Sequence, residues 1–307
     1  MSLLSVTEDR LPDRAALGAA LAGLPRGAPI VVMIHGFRFS PADPAHDPHR
    51  HILSLEPEAA CWKAVSWPRH LGLGGDRGLA IGFGWEARGL IWGAHRRAAR
   101  AGLRLARLLR LLAEMAPDRP LHLFAHSLGA RVALQGLARV EAGTVQRVIL
   151  ISAAVFRAEA ARLARASGAR TAEIVNVTGR ENTLFDLLLR AALPHRGATL
   201  GRGGPDLPGW IDLPMARAPD LGHRLAPARV RVCHWSGYLR PGIWSLYRAL
   251  ILRPTETPLP WVRARLDSTE AKTSRKAMVL DFLAVPGIAA RSADRPPLRR
   301  WFSKRTG

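Results

Sequence analysis

The stretch Phe124-Ala125-His126-Ser127-Leu128-Gly129-Ala130 constrains this chain more than any other. An apolar run, Pro120 to Phe124, stops at a serine set between small residues, and a helix-length segment with Val132, Leu134, Leu137 and Val140 on one face follows. A strand that turns this sharply into a helix forces its apex residue into a strained backbone conformation. The residues two before and two after the apex must then be small. Ala125 and Gly129 meet that demand, although glycine is the commoner residue at the first position. Such an elbow presents Ser127 as a nucleophile; the alternative is that Ser127 caps a helix.

A second segment, Ile30 to Ile34, is an uninterrupted apolar strand that closes on His35-Gly36-Phe37-Arg38. Glycine lets the backbone pass close to a reacting carbonyl. The amide of Phe37, paired with that of Leu128 directly after the serine, would form a two-donor oxyanion hole. Between Ile34 and Ser127 there is room for the strand and helices that a doubly wound sheet requires. A third segment, Val230 to Trp235, reads as a last strand delivering His234 as the base, followed by a helix from Ile243 to Leu252. His223 is the competing histidine, in a polar loop where nothing positions it.

The strand ending on His-Gly, Ser127 in its elbow and His234 after the last strand resemble the α/β-hydrolase superfamily, in its compact bacterial esterase and lipase-like branch. The resemblance spans about Ile30 to Leu252 as an order of elements. It implies an acyl-serine mechanism and a hydrolytic reaction without fixing the substrate; the expectation adopted is cleavage of a carboxylic ester, with no cofactor and no metal. The acid departs from the pattern. Asn182 occupies the place after Gly179 where an aspartate is expected, so three readings stay open: Asp186 reaching in from one turn further along, Glu181 from the loop, or Asn182 orienting the imidazole without a charge. Asp186 is taken as the provisional acid. Non-catalytic binding, and acyl transfer with the same residues, are the alternative functions.

At 307 residues and 48% hydrophobic, the chain can bury a full core as one α/β domain, residues 1–252, with a Pro-rich and basic appendage at 253–307. Two cysteines, Cys61 and Cys233, imply no disulfide framework. The first ten residues do not read as a leader, and a cytoplasmic location is expected. The net charge of +21 comes from 45 basic residues of which 41 are arginine. Many stud the segment Arg88 to Arg110 on one helix face, which reads as a solvated face or as attraction to an anionic membrane surface. No zinc-finger, ribonucleoprotein or Walker pattern is present, so specific nucleic-acid recognition has little support. The expected partner is a small-molecule ester.

Strand-like and helix-like segments alternate: a helix at 13–24, strands at 30–34 and 63–67, a long helix to Met115, then the elbow, a strand at 145–151, a helix at 156–167 and a strand at 173–177. This predicts a mostly parallel sheet of about six strands with helices on both faces. Two aromatic loops, 35–55 with Phe37 and Phe39 and 67–92 with Trp67, Phe83, Trp85 and Trp92, follow catalytic strand ends. They are expected, with His35, Gly36 and Trp85, to shape the substrate site. A His46, His49, His51 metal site has little support.

Overall fold

Apolar residues in the central strands alternate between two cores, which is what a sheet buried on both faces demands. In the computed structural model, which describes residues 3–58, 61–193, 197–228 and 230–268, the strands are β1 (Leu3–Thr7), β2 (Ile30–Ile34), β3 (Leu79–Gly84), β4 (Leu121–His126), β5 (Arg147–Ile151), β6 (Glu173–Thr178) and β7 (Trp210–Pro214). They form one sheet in the order β1-β3-β2-β4-β5-β6-β7, every neighbouring pair parallel. Ile30, Val32 and Ile34 of β2 face one core while Val31 and Met33 face the other.

The helices are α1 (Arg14–Ala22), α2 (Trp67–Leu71), α3 (Ile91–Met115), α4 (Gly129–Leu137), α5 (Arg157–Ala164), α6 (Ser167–Arg170), α7 (Thr183–Ala192), α8 (Ser236–Leu239) and α9 (Ile243–Leu252). On one face of the sheet α1, α3, α4 and α5 bury their apolar stripes; on the other lie α2 and α9. Helix α3 buries alanines and leucines from Ala94 to Leu112 and leaves Arg96, Arg100, Arg104, Arg107 and Arg110 exposed on its opposite side. No helix among the described residues is long and apolar enough to cross a membrane.

Three expectations are corrected. The sheet has seven strands, because residues 3–7 add β1 at the β3 edge. Residues 63–67 are not a strand: Ser66 caps α2 by accepting from the Arg69 amide at 3.3 Å, and Pro68 sits in the first turn, where a missing N–H costs nothing. The strand in that place is Leu79–Gly84, whose glycines conceal its pattern. A side chain at Gly84 would meet His49 Nε2 at 2.7 Å and Pro41 Cγ at 2.8 Å. Third, the domain runs to Leu266 rather than Leu252. Helical residues 259–268 bury Leu259, Val262 and Leu266 against the core of α9. The buried Arg147 guanidinium donates to the carbonyls of Leu250 at 2.5 Å and Thr257 at 2.9 Å, tying β5 to α9 and to the turn that leads into those residues. The expected basic tail from 269 onward lies outside the described residues.

Candidate active site

At the carboxyl end of β4 the chain turns through Ser127, whose φ is +55°. For a residue with a Cβ this conformation costs about 1–3 kcal/mol and persists only where the surroundings enforce it. Here the Ser127 amide donates to the Ile151 carbonyl at 3.0 Å, and its carbonyl accepts from the Ala154 amide at 3.0 Å, so the apex itself is pinned to the end of β5 and the turn after it. Sterics explain the small residues. A Cβ on Gly36 would lie 2.7 Å from Ser127 Cβ, and one on Gly129 would collide with the carbonyls of Ile34 and His35. The two glycines therefore let the end of β2 and the start of α4 close on the serine. This brings the Phe37 and Leu128 backbones to one end of the sheet. Among the described residues, neither amide donates to a protein acceptor.

His35 and Trp85 do not line an open site, as expected from sequence, but are fully buried behind it. His35 Nε2 accepts from the Trp85 amide at 3.0 Å, its Nδ1 donates to the Gly36 carbonyl at 2.9 Å, and Trp85 Nε1 donates to the His35 carbonyl at 3.0 Å. Burial holds the His35 pKa down to about 3, so the ring stays neutral and its two bonds brace the glycine loop. Trp67 and Phe83 are likewise fully buried core. Among the described residues no group of His, Cys, Asp and Glu is placed to hold a metal ion.

The segment 230–235 is not a strand. Val230 and Val232 are about half exposed, and the sheet edge beyond β6 is already taken by β7. A loop nonetheless delivers His234, fixed by the Cys233 amide donating to the Glu181 carbonyl at 2.9 Å. His234 Nε2 lies 2.6 Å from Ser127 Oγ, and its Nδ1 lies 2.6 Å from Asn182 Oδ1. With Nδ1–H donating to the amide oxygen, Nε2 is left to accept the serine proton. Phe185 tilts across the ring at 4.8 Å between centroids. His126 Nε2 donates to the His234 carbonyl at 3.2 Å; burial keeps the His126 pKa near 4, so it is neutral. Burial foremost, then His126 and Lys63, push the His234 pKa well below its ordinary value. His223 instead contacts Ser245 Oγ at 3.0 Å.

The provisional acid is corrected. Asp186 does not face the His234 ring; its carboxylate accepts from Asn182 Nδ2 at 3.2 Å. Asn182 is buried and stands between them. The carboxylate packs directly on Gly201, where a Cβ would overlap it, and burial raises its pKa. By holding the amide nitrogen, Asp186 fixes which end of Asn182 faces the histidine. Glu181 turns away, with Oε1 3.3 Å from Arg240.

Around the histidine the structure gathers residues that sequence reasoning passed over. Trp62 meets Trp235 edge-on at 5.8 Å, and Lys63 Nζ stands 3.5 Å from the Trp235 ring centroid. A 570 Å³ cavity beside them is lined by Trp62, Val230, Cys233, Leu239 and Pro241 among others. The signal available in the sequence was an exposed-type lysine between two apolar residues in a chain where nearly every other cation is arginine.

No protein-family model and no curated relative matches the sequence. Solved structures similar to the chain include an alpha-beta serine hydrolase homologue from Coxiella burnetii, 14% identical over 75% of this chain and 86% of that one, TM-score 0.39. A lipase-esterase related protein from Clostridium acetobutylicum is 7% identical over 73% of this chain and 93% of that one, TM-score 0.36. A Trichoderma reesei cutinase bound to a phosphonate inhibitor is 14% identical over 45% of this chain and 60% of that one, TM-score 0.27. A parallel sheet whose central strand ends on a left-handed serine, within reach of a histidine carried by a loop beyond the last strand, is the α/β-hydrolase fold, and this chain has it.

Proposed function

We propose that the protein is a serine hydrolase that cleaves carboxylic esters through an acyl-serine intermediate. The observation that carries the reading is the 2.6 Å approach of His234 Nε2 to Ser127 Oγ, made by a serine held at positive φ. Ser127 Oγ attacks the ester carbonyl carbon while its proton passes to His234 Nε2. The carbonyl oxygen gains negative charge between the Phe37 and Leu128 amides, which are directed at charge that develops only during reaction. The carbon–oxygen bond to the alcohol then breaks, and the alcohol leaves with the proton from His234. Water attacks the acyl-serine with His234 again as base, releasing the acid and restoring Ser127.

In this mechanism Asn182 replaces the usual carboxylate. Its amide oxygen holds the productive tautomer of His234 but offers no full charge to the imidazolium, while Asp186 lends charge from one residue further away. The test is steady-state hydrolysis of short 4-nitrophenyl esters by wild type and by Ser127→Ala. Turnover by wild type that disappears in the variant supports the reading. Absence of turnover by a folded wild-type protein across acyl lengths would favour a binding role on the same fold.

A further inference from the structure

Lys63 is one of four lysines in a chain with 41 arginines, and it stands beside the proposed base. Its Nζ lies 3.5 Å from the ring centroid of Trp235, the residue after His234, and 5.3 Å from that of Trp62. The two indoles hold the ammonium by cation–π attraction, which fixes its place without using up its N–H donors as a carboxylate would. No salt bridge joins Lys63 to a carboxylate among the described residues. Glu58, Glu181 and Asp186 are engaged elsewhere: Glu58 with Arg50 at 2.5 Å, Glu181 with Arg240 at 3.3 Å, Asp186 with Asn182 at 3.2 Å. The loop that carries His234 adds none, since residues 221–255 contain no Asp or Glu.

A cation in that position works against the reaction as the protein alone would run it. His234 must become an imidazolium; burial foremost, then His126 and Lys63, oppose this, and Lys63 acts behind burial on His51 as well. The group that would normally offset such repulsion, a carboxylate on Nδ1, is here the neutral amide of Asn182. The charge balance closes if the missing anion arrives with the substrate. We infer, on the footing of the serine-hydrolase reading, that the site takes esters bearing a carboxylate near the scissile bond and that Lys63 recognises it. A cavity lined by Trp62 and Cys233, the chain neighbours of Lys63 and His234, lies next to these two residues.

The experiment compares kcat/KM for matched anionic and neutral esters: mono(4-nitrophenyl) glutarate against its methyl ester, with the carboxylate in the acyl half, and 4-acetoxybenzoate against its methyl ester, with the carboxylate in the alcohol half. Wild type is expected to favour the anionic member of at least one pair by about tenfold, a preference that falls as salt is added. Lys63→Met should bring that ratio close to one and Lys63→Arg should keep most of it. Arg107→Met, on the exposed face of α3, should leave it in place, separating a local contact from the overall +21 charge. Ratios near one for both pairs in wild type, a preference that survives Lys63→Met, or equal losses in the Lys63 and Arg107 variants would each overturn the inference. Should Lys63→Met fail to fold, Lys63→Gln makes the same comparison and is read against the same outcomes. Turnover of the neutral esters reports separately on the hydrolase reading.

Discussion

The two sides of His234 are built in different ways. On the Ser127 side everything is steric: Gly36 and Gly129 leave room, the ends of β2, β4 and β5 converge, and the positive φ of the serine is enforced by two backbone hydrogen bonds. On the Asn182 side the contacts are polar: an amide at 2.6 Å from the turn before α7, a carboxylate behind it at 3.2 Å from the first turn of α7, and a cation held on an indole. A strained backbone tolerates few residues, whereas an orienting hydrogen bond can be supplied by several. The first side should therefore be all-or-none and the second adjustable.

Substitutions on the serine side should produce the largest losses. Ser127→Ala and His234→Ala should each lower kcat/KM by at least about a thousandfold with the fold retained, as far-ultraviolet circular dichroism and a cooperative thermal transition would show. Gly129→Ala, which sets a methyl against the His35 carbonyl, should lose activity on a similar scale by displacing the Leu128 amide. A Gly129→Ala enzyme of near-normal rate would break the contrast from this side.

Effects on the asparagine side should be smaller and graded. Asn182→Ala should cost on the order of tenfold to a hundredfold in kcat/KM, in line with loss of an outer-shell partner. Asp186→Asn should cost less, about tenfold, because the amide–imidazole bond survives. Asn182→Asp sharpens the comparison most: a carboxylate on Nδ1 would stabilise the imidazolium, but it would also sit against Asp186, so its rate should stay within about tenfold of wild type. Collapse of activity in Asp186→Asn alone would mean that the carboxylate acts more directly than its 3.2 Å contact with Asn182 implies.

This contrast also explains what could be read from the sequence. The elbow, the strand ending on His-Gly and the alternating order of elements were legible because each rests on a local steric demand or on a two-residue burial period. Strand β3 was hidden because Gly82 and Gly84 pack beneath His49, a long-range contact that leaves no side-chain pattern. Residues 230–235 imitated a strand because valine and arginine alternate there too, although the valines face solvent. His234 nonetheless lies 2.6 Å from Ser127 Oγ, in the place that chain order assigns to a base. Its partner was not legible: whether Asn182 or Asp186 faces the ring depends on a one-turn difference at the start of α7 and on Gly201 closing over the carboxylate. Lys63 gave only a compositional hint, because its cage forms between residues far apart in the chain.

The smallest predicted effect is on the pH profile. A general base works when neutral, and burial with His126 and Lys63 nearby lowers the His234 pKa. The rising limb of kcat/KM should thus lie below the ordinary imidazole range and be flat by neutral pH. Asn182→Asp should move that limb upward by about one pH unit, since a carboxylate favours the protonated ring. A limb centred at or above the ordinary value in wild type would contradict the electrostatic picture of the site.

The central claim is that Ser127 is a nucleophile activated by His234. It is tested most directly by treating the protein with a fluorophosphonate and locating the adduct by peptide mass spectrometry. The account predicts a single phosphonyl group on Ser127, formed with loss of fluoride, absent in Ser127→Ala and strongly slowed in His234→Ala. An unlabelled wild-type protein, or an adduct on any other residue, would contradict it.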